Sequence, residues 1–156
     1  CTGITYNHES PRRGRSFVTR KITSNVAAIA LGMKDSLELG NVKALRDWGY
    51  APEYVEAMHR MLNAEVPKDY VIATGKTHSV EDLLKVAFDT VGLDYKKYVR
   101  INEEFLRPEG HVPLVGNADK VYHDLGWKAE KPFELIIKEM VENDIELLQR
   151  ETRHAK

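Results

Sequence analysis

The stretch YVIATGKTHSVEDLLKVAFDTVGL, Tyr70 to Leu93, limits the fold more than any other part of the sequence. YVIATG is an unbroken apolar run closed by glycine, the pattern of a buried strand in a parallel sheet. Ser79 to Asp82 then reads as a capping-box start, Leu83, Leu84, Ala87 and Val91 recur at helical spacing, and Gly92 ends the run. Strand followed directly by helix is the unit of an α/β fold, and the rest of the chain repeats that alternation.

Upstream, TGITY (Thr2 to Tyr6) reads as a short strand running into the polar loop NHESPRRG. Val18, Ile22, Val26 and Ile29 then mark a helix closed by Gly32, and SLELG alternates as a short strand. Pro52 suits the first turn of a second helix with an apolar face of Tyr54, Val55, Met58, Met61 and Leu62. YVRINEEF is a weaker strand, and Asn117 caps a short helix that stops at Gly126. After Pro132 a long helix carries Phe133, Ile137, Met140, Val141, Ile145 and Leu148, and the polar tail QRETRHAK is expected to fray. No repeat, low-complexity tract or linker divides residues 1–156, so they are read as a single unit.

A net charge of −1 argues against a general nucleic-acid binder, which needs a broad excess of Lys and Arg. The lone Cys1 excludes an internal disulfide and a cysteine zinc site, and suits a cytoplasmic protein. The histidines show no HxH or HExxH spacing, so no metal site is expected. The longest apolar run, VAAIAL, is too short to cross a bilayer, so no membrane partner is expected. The chain opens on CTGITY, without Met or signal-peptide character, and the expectation is that it begins partway through a longer protein.

Arg12, Arg13, Arg15, Arg20 and Lys21 stand together without an acid, between a strand end and a helix N-terminus. Cations oppose the macrodipole there, whereas an anionic ligand suits the same place. On the helical wheel Lys21 flanks the apolar stripe and is placed to lean over a ligand, while Arg20 points away and is expected in solvent. Arg46, Asp47 and Trp48 form a second constellation, because a guanidinium can hold a diphosphate through two bonds and an indole can stack on a ring. A buried core position is the commoner fate of such a tryptophan. Arg107 in FLRPEG follows a strand-like segment, the position at which open α/β sheets bind ligands. A solvated basic loop is the competing reading for all of these cations.

NHESPRRG, FVTRKIT, LGN, RDWGYAPEYVEAM, YVIATGKTHSVEDLLKVAF, RPE and VGNADK…LGWK follow one another in that order. In this the chain closely resembles the GDP-mannose 4,6-dehydratase family of the extended short-chain dehydrogenase/reductase superfamily. The resemblance implies a Rossmann-like nucleotide-binding sheet, of which this chain would hold the last strands, plus the smaller mixed α/β substrate-binding region. It also implies NADP as cofactor, GDP-mannose as substrate, and a homo-oligomer, dimer or tetramer. In the family's scheme a hydride leaves C4 of the sugar, water is lost across C5 and C6, and the hydride returns to C6. By the same resemblance His8 and Arg13 match NADP contacts, and Asn7, Lys21, Arg46 and Arg107 match substrate contacts. His59 departs from the family, many members of which have Trp there.

The family's glycine-rich loop, its catalytic Thr and Glu, and its YxxxK pair are absent from this sequence. None of the seven tyrosines has a lysine four residues later, and no glycines form GxG. No catalytic residue is therefore assigned within the chain, which is expected to be inactive alone and to form the C-terminal half of the enzyme. The alternatives are a non-catalytic GDP-sugar-binding or subunit-pairing module, or a related GDP-sugar epimerase or reductase.

Overall fold

In the computed structural model, which describes residues 1–105 and 114–154, the first strand of the chain changes partner at Tyr6. Strand β1 (Gly3–Thr5) runs parallel to β6 (Tyr70–Ile72), with Ile4 opposite Val71. Tyr6 extends that ladder, its N–H donating to Ile72 O at 2.9 Å. Beyond it β2 (Asn7–Glu9) pairs instead with β5 (Trp48–Tyr50), again parallel, with His8 opposite Gly49. The NHE segment is thus a strand where the sequence reads as loop. A third parallel pair joins β3 (Leu37–Leu39) to β8 (Val99–Ile101), and β4 (Leu45–Arg46) lies antiparallel to β7 (His78–Ser79).

Helices α1 (Val18–Ala30), α3 (Val80–Thr90) and α6 (Phe133–His154) pack on one another over a core that includes Ile22, Val26, Leu39, Trp48, Leu84, Phe88, Ile137 and Met140. A second core joins α2 (Ala51–Leu62), β6 and α5 (Asp119–Leu125) through Tyr54, Ala57, Met61, Ile72, Val121 and Trp127. The short helix α4 (Tyr95–Tyr98) leads into β8. Trp48 takes the core position that is the commoner fate of such a residue, not a ligand-stacking one: its ring lies 5.8 Å from that of Phe133, and 3% of the residue is exposed.

Helix punctuation follows the sequence closely. Ser79 and Asp82 form a full capping box, and Gly32, Gly92 and Gly126 take positive φ values of 68°, 69° and 63° at helix ends. Asn117, expected as the cap of α5, lies one residue before it: the N-cap is Ala118, and Asn117 Oδ1 accepts from the Asp119 N–H at 2.8 Å. Two further expectations are corrected. The tail does not fray at Gln149: α6 continues to His154, supported by Arg150–Glu146 at 3.2 Å and by Thr152 donating to Leu148 O. On α2, Tyr54 and Met61 are buried with Ala57, but Val55, Met58 and Leu62 of the expected apolar face are exposed. Among the described residues no helix is long and apolar enough to cross a membrane.

Candidate functional site

Strand β2 alternates, so Asn7 and Glu9 face one way and His8 the other. The His8 Nδ1 lies 2.8 Å from Tyr6 O. A carbonyl only accepts, so Nδ1 carries the proton, and in the neutral ring Nε2 is left as an acceptor. The ring stacks on Tyr54 at 5.0 Å and 27°. Tyr54 reaches this position because Gly49 has no side chain; a Cβ there would overlap the Tyr54 ring. The Tyr54 hydroxyl is buried with no hydrogen-bond partner among the described residues. Burial, reinforced by the charges of Asp47, Glu53 and Glu9, pushes its pKa well above the usual phenol range.

Glu9, 1% exposed, accepts from Thr19 Oγ1 at 2.6 Å and stands 3.3 Å from Arg13 Nε. Desolvation raises its pKa, opposed in decreasing order by the Thr19 hydrogen bond and by the charges of Arg13 and His8. The 3.3 Å approach lacks hydrogen-bond geometry, so Arg13 Nε is a buried donor without a hydrogen bond. The guanidinium lies face-on to Phe17, its Cζ 3.7 Å from the ring centroid. Arg13 is therefore held between a carboxylate and an aromatic ring.

Arg20 corrects the expectation that it is solvated: it is 6% exposed. Its Nε and Nη2 grip Asp144 of α6 at 2.9 and 2.6 Å, and Thr23 Oγ1 donates to the same carboxylate at 2.8 Å. Its Nη1 donates to the carbonyls of Pro11 and of Arg13, the latter at 3.0 Å. The wheel argument fails because α1 is covered by α6 on the flank that Arg20 occupies. A signal was present in the sequence: Asp144 sits among the apolar positions Val141, Ile145 and Leu148, where an acid requires a buried partner.

Asp47 is fully buried and binds main-chain donors from two other segments: Thr74 N at 3.0 Å, Gly75 N at 3.0 Å and Gly116 N at 3.1 Å, with Thr74 Oγ1 at 2.6 Å. It is a structural tie. Its neighbour Arg46 is exposed on β4, opposite His78 and bridged to Leu114. Lys21 is half-buried, with Nζ 4.6 Å above the Phe105 ring. The fold thus brings Asn7, His8 and Arg13 together on one strand and its loop. Lys21 and Arg46 stand on neighbouring elements, joined to that group by no hydrogen bond or ion pair among the described residues. Arg107 lies outside the described residues. A cavity of about 440 Å³ opens beyond β6, lined by Ala73, Thr74, Gly116, Asn117, Tyr122 and Trp127 among others, and none of the candidate residues borders it. No cluster of potential metal ligands occurs among the described residues.

Known proteins carry the same architecture. The structure of RMD from Pseudomonas aeruginosa complexed with NADPH superposes with a TM-score of 0.84 at 18% identity, over 93% of this chain and 47% of that one. The dTDP-glucose 4,6-dehydratase from Bacillus anthracis in complex with NAD gives 0.74 at 20% identity, over 90% and 43%. These likenesses establish the fold, a Rossmann-like mixed α/β architecture. In sequence, GDP-mannose 4,6 dehydratase 2 of Arabidopsis thaliana is 50% identical over 151 residues, 97% of this chain and 40% of that protein. The chain therefore spans about two fifths of the length of that curated relative. Residues 1–140 match the profile described as GDP-mannose 4,6 dehydratase, and the chain belongs to that family.

Proposed function

We propose that this chain is the C-terminal, substrate-binding part of an NADP-dependent lyase that converts GDP-mannose to its 4-keto-6-deoxy product. The observation that carries this reading is the family match across residues 1–140, which includes the uninterrupted NHESPRRG segment. The donor set suits a nicotinamide dinucleotide. His8 offers an oriented Nε2 acceptor, and Arg13 offers a guanidinium already packed on Phe17 and faced by Glu9. When bound, the cofactor supplies the hydride acceptor and donor. This chain's own residues bind and orient: His8 and Arg13 hold the cofactor, and Asn7, Lys21, Arg46 and Arg107 hold the sugar nucleotide, with the arginines suited to its diphosphate. The base that takes the sugar hydroxyl proton is assigned to the remainder of the longer protein.

The test uses the full-length polypeptide with GDP-mannose and NADP, following the 4-keto product by chromatography. Turnover is expected, and replacing Lys21 and Arg46 together by Ala should raise the apparent KM for GDP-mannose about a hundredfold, since each charged hydrogen bond is worth ~1.5 kcal/mol or more. Unchanged affinity in that variant would remove the substrate assignment. Absence of 4-keto product from the unmodified protein would remove the reaction.

A further inference from the structure

We propose that Arg20, held by Asp144, is a positioning residue for the cofactor-binding loop: it fixes the main chain of Pro11 to Arg13 and so sets where the Arg13 guanidinium is presented. This rests on the reading of Arg13 as a cofactor contact and goes beyond it, because Arg20 touches no ligand in that reading.

The geometry is a relay from the far end of the chain. Asp144, 3% exposed, takes Nε and Nη2 of Arg20 on one side and Thr23 on the other. With both donors satisfied by Asp144, the guanidinium plane is fixed, and Nη1 is aimed at two loop carbonyls, those of Pro11 and Arg13. Between those carbonyls the loop closes a tight turn, with the Arg13 N–H donating to Ser10 O at 2.9 Å. The Arg13 side chain is then braced by Phe17 and Glu9, both on segments adjoining α1. An arrangement needed only for stability would have sufficed with the Arg20–Asp144 pair alone. Of the second pair of bonds, one goes to the backbone of Arg13, the residue assigned to the cofactor, and the other to Pro11 in the same loop. Lysine in place of Arg20 keeps the charge opposite Asp144 but lacks the planar fork that reaches both sides at once.

The experiment compares Arg20→Lys, Asp144→Asn and Arg13→Ala in the full-length protein. NADPH binding is followed by fluorescence titration, GDP-mannose binding by calorimetry, and amide hydrogen exchange is recorded across residues 10–14. Arg20→Lys and Asp144→Asn are expected to weaken NADPH about tenfold and to speed exchange at Arg13, with GDP-mannose affinity unchanged. If both variants fold and bind NADPH as the unmodified protein does while Arg13→Ala binds it weakly, the positioning role is wrong and the cofactor contact stands. If Arg13→Ala itself binds NADPH normally, the cofactor reading fails and this inference with it. Should Arg20→Lys not fold, Thr23→Val removes one donor to Asp144 at nearly constant volume. A smaller loss of NADPH affinity is then expected, and normal affinity with normal exchange at Arg13 would overturn the role.

Discussion

A carboxylate with both oxygens taken by main-chain N–H groups can hold several chain segments at once, and Asp47 ties its own segment to two others. Oδ1 receives Thr74 through its N–H and hydroxyl, and Oδ2 receives the N–H groups of Gly75 and Gly116. Gly116 can approach because it lacks a Cβ, which would overlap Ala73. Asp47→Asn keeps the shape but turns an NH₂ toward N–H donors that then have no acceptor. The variant is expected to lose about 3 kcal/mol, since hydrogen bonds to charged groups are worth ~1.5–3 kcal/mol each and stranded buried donors cost more. A urea midpoint shifted down at constant m-value would show it, and an unshifted midpoint would show that the tie is idle. At this scale the sequence is an uneven guide. It marks which residue types have chemistry, and so singles out the cations from Arg12 to Lys21 and the Arg46–Asp47–Trp48 triplet, while His8 and Arg13 are assigned through the family resemblance. It does not say which charges are buried, because burial of Arg20 depends on Asp144, 124 residues away. It likewise cannot separate Asp47, a structural tie, from Arg46, its exposed neighbour.

Elements with long apolar periods are legible, and two- or three-residue strands without such a period are not. Helices α1, α3 and α6 carry enough repeats for the spacing to decide, and β6 is an unbroken apolar run. Strands β2, β4, β5 and β7 contain NHE, LR, WGY and HS, which have no period to read; they are strands because neighbouring ladders recruit them. The best case for local encoding is the start of α3, where the Ser79 hydroxyl accepts from Asp82 N at 3.0 Å and the Asp82 carboxylate accepts from Ser79 N at 3.0 Å. Bonds from Ser79, first from its side chain and then from its backbone, hold the Asp82 pKa below 3.8. A depressed folded-state pKa contributes stability that is present above the unfolded value and lost as pH falls through the folded one. Ser79→Ala should therefore cost about 1 kcal/mol near neutrality. The gap to the parent should narrow as pH drops below 3.8, the usual value for Asp82. Parallel pH–stability curves for the two proteins would contradict the coupling.

At the scale of the whole molecule, the surfaces that packing leaves open are as informative as the cores. Val55, Met58 and Leu62, 62%, 38% and 78% exposed, fall on one stripe of α2 at helical spacing, flanking the buried stripe of Tyr54, Ala57 and Met61. An amphipathic helix is expected to show polar residues there. Among the described residues β1 is paired on one side alone, to β6, and its Ile4 is 54% exposed. An open strand edge and an uncovered apolar stripe on one body are the two features that drive association of soluble proteins. The chain spans about two fifths of the length of its Arabidopsis relative, so the surfaces this architecture covers need not all be covered by these residues. Produced alone, the chain is expected to self-associate at micromolar concentration in sedimentation velocity runs. Val55→Glu with Leu62→Lys should shift it toward monomer while leaving the melting temperature within a few degrees, because neither side chain contributes to the Tyr54–Trp127 core. A monodisperse monomer for the unmodified chain would mean that these faces are tolerated in water as they stand. Association undiminished in the double variant would move the cause from α2 to the open edge of β1.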